Sequence, residues 1–152
     1  MSFIYLLFTF MVSFVSIKLM IRYARVLKLI DIPNERSQHK NAIPKSAGVG
    51  FTLAFFISNL IFYPDLFLEY WYLFVSIFIV FVMGVIDDRY DVKPKMKFLA
   101  IFASVFFLSF FDVGIYHLGV WLGIEVTLPY IIGIVFTMFA LAGFTNALNL
   151  ID

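Results

Sequence analysis

The sequence predicts an all-α membrane protein, a polytopic bundle of about five transmembrane helices. Hydrophobic residues make up 63% of the 152-residue chain and charged residues only 14%. Soluble domains contain about half apolar and about a quarter charged residues. Long apolar runs fill most of the chain, and all eleven Lys and Arg residues lie in two windows, 18–45 and 89–97. These observations predict a single membrane domain over residues 1–152.

The predicted spans follow from the lengths of the apolar runs. A spanning helix needs about 20 mostly apolar residues. Four segments approach that length, 2–20, 48–67, 69–86 and 130–144. A fifth run, 98–111, becomes long enough if its helix begins at Pro94, because Pro is favoured in the first turn. That helix would be roughly 27 Å long.

The connections between these spans alternate in charge. The two basic windows belong in the cytoplasm by the positive-inside rule, whereas segments 63–69 and 112–129 carry only acidic charges. Five spans then place the N-terminus outside and the C-terminus inside a plasma (inner) membrane. The outer segment 112–129 contains Gly114, Gly119 and Gly123, a pattern typical of either a short hairpin or a re-entrant turn. The net charge of +1 gives no reason to expect a nucleic-acid partner.

Three carboxylates gather where the third predicted span meets the cytoplasm: Asp87, Asp88 and Asp91. If the helix continues through Asp91, the i,i+3 and i,i+4 spacings keep all three near one side. Mg²⁺ takes one or two carboxylates and leaves its other positions to water and substrate phosphates. A solvated helix end, balanced by the neighbouring Lys and Arg residues, is the other interpretation. The cluster alone does not separate the two.

A second polar set, Asn146, Asn149 and Asp152, lies three residues apart at the inner end of the fifth span. On a helix these residues occupy a stripe about 120° wide. Hydrogen bonding between helices explains one Asn in a span. Two Asn and an Asp at the level of the first cluster predict instead a polar site at the inner boundary.

The first basic loop lies beside these carboxylates in the predicted topology. Seven Lys and Arg residues between positions 18 and 45 would attract phosphates, and only Asp31 and Glu35 oppose them. Anionic lipids of the inner leaflet would satisfy the same patch. His39 could bind or protonate a ligand, although a lone loop histidine is more often only solvated. His117 is assigned to the outer face.

Three segments of the chain resemble the membrane polyprenyl-phosphate N-acetylhexosamine-1-phosphate transferases, the superfamily that includes phospho-N-acetylmuramoyl-pentapeptide transferase. Residues 87–91 read DDRYD and resemble the DDxxD box, and residues 146–152 read NALNLID and resemble NxxNxxDG without its final Gly. Segments 31–39 and 44–48 resemble the first cytoplasmic loop of the branch that uses UDP-N-acetylhexosamines, except that Ala47 replaces the first Gly of a pair. The resemblance covers the N-terminal half of a bundle with roughly ten spans of about 20 residues each.

The resemblance implies a phosphoglycosyl transferase that moves N-acetylhexosamine 1-phosphate from a UDP-sugar to polyprenyl (undecaprenyl) phosphate and releases UMP. This is the first membrane step of surface polysaccharide synthesis, such as lipopolysaccharide or cell-wall polymers. The implied cofactor is Mg²⁺, or Mn²⁺ in its place, with the active face cytoplasmic and a homodimer compatible with the resemblance. The implied residues are Asp87 and Asp88 as the catalytic pair, Asn149 and Asp152 at the metal, Lys97 on a phosphate, and Asn146, Asp91, Arg36, His39 and Lys45 as substrate contacts.

Three alternatives stay open. Transfer of the peptidoglycan precursor, phospho-N-acetylmuramoyl-pentapeptide, is the nearest, although the first loop resembles that branch less. A transporter would place ionisable groups near the bilayer midplane, whereas every Asp and Glu here falls at a predicted boundary or in a loop. A non-catalytic fragment without turnover of its own is the third.

Overall fold

The structure is a computed structural model that describes residues 2–31, 42–45 and 47–151. Its described part contains six helices and two small antiparallel sheets. The helices are α1 (Ser2–Leu27), α2 (Ala47–Phe62), α3 (Pro64–Glu69), α4 (Trp71–Tyr90), α5 (Pro94–Ser109) and α6 (Tyr130–Ile151). The strands are β1 (Ile30–Asp31), β2 (Ile43–Pro44), β3 (His117–Trp121) and β4 (Ile124–Thr127). The predicted all-α membrane bundle is therefore confirmed.

Among the described residues, three helices are long and apolar enough to cross a membrane: Phe3–Leu27, Trp71–Tyr90 and Tyr130–Leu148. The apolar helix α2 is shorter, and α5 also has 16 residues, or about 24 Å of helix. Many large apolar side chains on these helices are exposed, as they are on helices that face lipid. The count of five spans and their orientation stay predictions.

The second predicted span, 48–67, is wrong at its C-terminal end. Helix α2 ends at Phe62, and α3 begins at Pro64 as a separate short helix. Proline lacks an N–H and its ring clashes with the preceding turn, so it begins a helix more readily than it continues one. The predicted start of α5 at Pro94 is confirmed.

Helices α1 and α2 pack directly against each other. A Cβ added to Gly50 would lie 2.9 Å from the backbone N of Ile17, so the two backbones approach as closely as glycine allows. Ala54 and Ser58 follow one and two turns later and are fully buried. Small residues at this spacing let membrane helices approach and gain van der Waals contact, because lipid supplies no hydrophobic driving force between helices.

A second unit is formed by α4, α5 and α6, with α5 packed against both of the others. The three-residue connection between α4 and α5 makes them antiparallel neighbours. Midway along the pair, the Ser104 hydroxyl donates to the Ser76 carbonyl at 3.1 Å. At the far end, Tyr72 stacks on Phe111 with ring centroids 4.5 Å apart.

The segment between α5 and α6 forms a β-hairpin, one of the two predicted alternatives. Strands β3 and β4 pair with Trp121 opposite Ile124, and the register shifts between His117 and Val120. The first basic loop is closed at its base by β1 and β2, with Ile30 opposite Pro44. Strand β1 contacts α4, so the ends of that loop lie beside the helix that carries the carboxylates.

Candidate functional site

The turn between α4 and α5 brings Asp87 and Lys97 into contact. Lys97 Nζ lies 2.6 Å from Asp87 Oδ2. Asp87 belongs to the last turn of α4 and Lys97 to the first turn of α5, because the chain reverses within residues 91–93. The reversal depends on Asp91, which ends α4 in the left-handed conformation with φ 48°, and on Pro94, which begins α5.

A cavity of about 210 Å³ opens beside this ion pair. Its polar lining comes from Asp87, Asp88 and Lys97, and Thr145 of α6 also borders it. Asp87 Oδ1 is buried and makes no hydrogen bond with the described part of the protein. A buried carboxylate oxygen without a partner is costly, so this atom is available to a cation or to a hydrogen-bond donor of a ligand.

Helix α6 meets the same lysine from the other side. Asn146 and Lys97 line a smaller cleft of about 40 Å³, and Thr145 borders both spaces. Of the second polar set, Asn146 therefore lies near Lys97. The predicted convergence of Asn149 and Asp152 on the first set stays a prediction. Thr145 was not among the predicted residues; its only sequence signal is a hydroxyl next to Asn146.

The remaining predicted site residues are distributed as follows. Asp91 is exposed one residue beyond α4 and is not among the lining residues of the cavity, because α4 does not continue through it. Lys45 follows β2, and its N–H donates to the Leu29 carbonyl at 3.0 Å. Asn149 lies on α6, but its side chain is outside the described part. Arg36, His39 and Asp152 also lie outside the described residues.

The described residues contain no group of three or more His, Cys, Asp or Glu side chains that would by themselves hold a metal ion. Mg²⁺ does not require one, because it is commonly bound by one or two carboxylates together with water and substrate phosphates. Asp87 and Asp88 line one cavity, and Oδ1 of Asp87 has no described protein partner. The residues present therefore fit a magnesium ion that shares its coordination with a bound phosphate.

A larger apolar groove of about 490 Å³ lies further along α4 and α5. Its lining includes Leu73, Ile77 and Val80 of α4 and Leu108 of α5, together with Ser76 and Ser104. Val80 also lines the polar cavity, so the two spaces adjoin. A polar, charged pocket thus opens beside an apolar groove within the helix bundle.

Comparison with known proteins connects this arrangement with a family. The sequence profile described as Glycosyl transferase family 4 matches residues 70–152, which include both polar sets and the hairpin between α5 and α6. The chain belongs to glycosyl transferase family 4. The resemblance drawn from the DDxxD and NxxNxxD segments is therefore confirmed at the family level.

Curated relatives agree with this assignment. The chain is 36% identical over 140 residues to undecaprenyl-phosphate alpha-N-acetylglucosaminyl 1-phosphate transferase of Haemophilus influenzae, a match covering 87% of this chain and 37% of that protein. The protein of the same name from Pasteurella multocida is 36% identical over 125 residues, covering 78% of this chain and 33% of the relative. The protein of the same name from Salmonella typhimurium is 30% identical over an alignment of 160 residues, which covers 96% of this chain and 39% of that relative. The chain spans only about 33–39% of these relatives, and no solved structure matches it significantly.

Proposed function

We propose that this family member contributes the carboxylate and lysine part of a phosphoglycosyl transferase site. The proposed reaction moves N-acetylhexosamine 1-phosphate from a UDP-sugar to undecaprenyl phosphate. An oxygen of the lipid phosphate forms a bond to the sugar-bearing phosphorus, and the bond from that phosphorus to the bridging oxygen breaks, so that UMP leaves. The names of the curated relatives support the acceptor and the sugar 1-phosphate.

The observation that carries the proposal is the junction of a polar cavity with an apolar groove at Val80. A polyprenyl phosphate has one charged end and a long hydrocarbon chain. The cavity beside Asp87 and Lys97 suits the phosphate, and the groove along α4 and α5 suits the first isoprene units. Burial of hydrocarbon in the groove would hold the phosphate at the boundary, where a nucleotide from the aqueous phase can reach it.

Each side chain has a separate proposed task. Lys97 attracts the phosphate, and a phosphate oxygen would compete with Asp87 for the ammonium group that now lies 2.6 Å from Oδ2. Asp87 and Asp88 would hold Mg²⁺ together with substrate phosphates, and one of them positions or deprotonates the attacking lipid phosphate. Asn149 and Asp152 are proposed to complete the metal site. Bound Mg²⁺ would neutralise the charge that develops on the diphosphate.

A cytoplasmic orientation of the Asp87 cavity is part of the same proposal. The seven cations between positions 18 and 45 and the four between 89 and 97 support a cytoplasmic position for this end of the bundle in a plasma membrane. UDP-sugars are made in the cytoplasm, so the donor would approach from that side. Arg36, His39 and Lys45 are the proposed contacts from the first basic loop.

The test is UMP release in membranes that contain the expressed protein, supplied with UDP-N-acetylglucosamine, undecaprenyl phosphate and Mg²⁺. We expect turnover that is lost in both Asp87→Asn and Asp88→Asn. Unchanged rates in both variants would refute the site. A preference for UDP-N-acetylmuramoyl-pentapeptide as donor would assign the protein to peptidoglycan precursor transfer instead.

A binding measurement separates an inactive fragment from a wrong site. Mn²⁺ can stand in for Mg²⁺, and its electron paramagnetic resonance signal broadens when the ion is bound. With undecaprenyl phosphate present, we expect Mn²⁺ binding that Asp87→Asn weakens. Binding without turnover would mean that residues outside this chain complete the active site.

A further inference from the structure

The hairpin β3–β4 carries an unusual residue at its tip. Trp121 pairs with Ile124, so Leu122 and Gly123 form a two-residue turn. Both have positive φ, 52° for Leu122 and 81° for Gly123, as a type I′ turn requires. Asn, Asp or Gly adopts this conformation more readily than Leu does. Leu122 is nevertheless there, and its side chain is fully exposed.

The strand register divides the hairpin into two chemically different faces. Val120 pairs with Glu125 and His117 with Thr127, which places these side chains on one face. Across that face His117 Nδ1 lies 3.6 Å from Glu125 Oε1. The alternation of side chains along a strand puts Trp121 and Ile124 on the opposite face. Val126, two residues after Ile124 on β4, shares that second face, so its three members are all apolar.

The apolar face has no cover in the described structure near its tip. Trp121 is 68% exposed and Ile124 69% exposed. The indole N–H of Trp121 donates to the Leu118 carbonyl at 2.8 Å. The ring can therefore enter an apolar medium without carrying an unpaired donor into it.

The root of the hairpin lies where the bundle would leave the membrane. It connects α5 to α6 at the end opposite the Asp87 cavity. Aromatic residues ring this level, with Trp71 against Phe111 and Tyr116 stacked on Tyr130. Trp and Tyr are enriched at membrane–water interfaces. The neighbouring helix surfaces are apolar and exposed at Phe110 and Ile131, so lipid-facing surface lies next to the hairpin.

We propose that the tip of the hairpin inserts into the lipid bilayer at this interface. Trp121, Leu122 and Ile124 enter the layer between headgroups and acyl chains, while His117 and Glu125 stay in water. A fluid lipid surface suits this tip because its apolar face offers no charge and no free indole donor to specify a protein partner. The hairpin then fixes the depth and rotation of α5 and α6 from the end opposite the cavity.

The test uses site-directed spin labels, because the chain contains no cysteine. The expressed protein carrying Leu122→Cys or Glu125→Cys is labelled with a nitroxide and reconstituted into phosphatidylethanolamine–phosphatidylglycerol vesicles. Collisions with O₂ report the hydrocarbon, and collisions with a water-soluble nickel chelate report the aqueous phase. We expect the ratio of O₂ to nickel accessibility at position 122 to exceed that at position 125 several-fold.

Two other results would overturn the proposal. Equal nickel accessibility at both positions would place the tip in water. Low accessibility to both reagents at position 122 would show that protein, either a second copy or another segment, covers it.

A second variant separates insertion from folding of the turn. Leu122→Asn suits the left-handed conformation better, so the hairpin should form at least as well. With the nitroxide at Ile124→Cys, this substitution should nevertheless reduce the O₂-to-nickel ratio, because the tip loses its apolar side chain. An unchanged ratio would refute a role for Leu122 in membrane insertion.

Discussion

The two ends of the α4–α5–α6 unit differ in whether their buried polar atoms have hydrogen-bond partners. At the cavity, Asp87 Oδ1 has no hydrogen-bond partner in the described part of the chain. At the hairpin end, the Ile115 N–H donates to Thr137 Oγ1 at 2.8 Å, and the Tyr130 hydroxyl donates to the Ser109 carbonyl at 2.6 Å. At the cavity end a carboxylate oxygen has no described partner, whereas at the hairpin end these two groups are paired and connect segments that are distant in the sequence.

The two ends therefore contribute differently to the protein. Unpaired polar atoms at a bilayer boundary are costly and mark a site that something else must complete. Paired ones contribute rigidity. The Tyr116 hydroxyl is an exception at the hairpin end, because it is buried without a described partner. Burial raises the pKa of Tyr116. A phenol is neutral near pH 7 in any case, so this group costs less to bury than a carboxylate would.

The largest expected effect comes from removing the charge at the cavity. Asp87→Asn should lower the proposed transferase rate by on the order of 10²–10³-fold, as loss of a preorganised charged group does. Asp112→Asn is the matched control at the opposite end: Asp112 has φ 56°, which Asn tolerates well. UMP release from membranes containing equal amounts of each variant measures the effect. Equal losses in both variants would contradict a functional difference between the ends.

The next largest effect is expected from overpacking the contact between α6 and Tyr116 at the hairpin end. A Cβ added to Gly133 would lie 2.7 Å from Tyr116 Cε1 and 3.2 Å from the Ile115 carbonyl oxygen. Gly133→Ala should therefore lower the free energy of unfolding by about 1–3 kcal/mol through overpacking. Gly143→Ala, on the same helix, has open space around its added Cβ and should be neutral or slightly stabilising. Unfolding in detergent measures both, and equal stabilities would disprove the close contact.

A smaller loss of stability is expected from breaking the hydrogen bond that joins the hairpin to α6. Thr137→Val keeps the shape of the side chain but leaves the Ile115 N–H without its acceptor. We expect a loss of about 1 kcal/mol in unfolding free energy and faster amide exchange at residue 115. Thr127→Val on the exposed edge of β4 is the control and should change neither quantity. Unchanged exchange in Thr137→Val would show that the bond does not hold the hairpin.

The sequence predicted the helices better than their contacts. The apolar runs located the long helices, and Pro94 located the start of α5, because local chemistry determines such features. Thr145 could not be predicted, since its place beside Lys97 depends on how α5 packs against α6. The helix end at Tyr90 was not predicted either, because the left-handed Asp91 has no strong local signal.

The hairpin shows a different reason for incomplete prediction. The three glycines of segment 112–129 indicated a turn, but the register shift between His117 and Val120 interrupts the alternation that marks a strand. Leu122 also stands where a type I′ turn usually has Asn or Gly, which weakens the turn signal. The same departure from local preference is what points to a function for the tip.

The smallest expected change in stability belongs to the Asp87–Lys97 ion pair, and variants of this pair test whether it is structural or functional. The Lys97 side chain is 37% exposed, so solvent screens the pair, and either Asp87→Lys or Lys97→Asp alone should cost roughly 1 kcal/mol or less. The double variant restores opposite charges across the same contact and should recover that stability. Transferase activity should stay lost in the double variant, because the carboxylate would no longer face the cavity from α4. Recovery of both stability and activity would show that the pair only holds the two helices together.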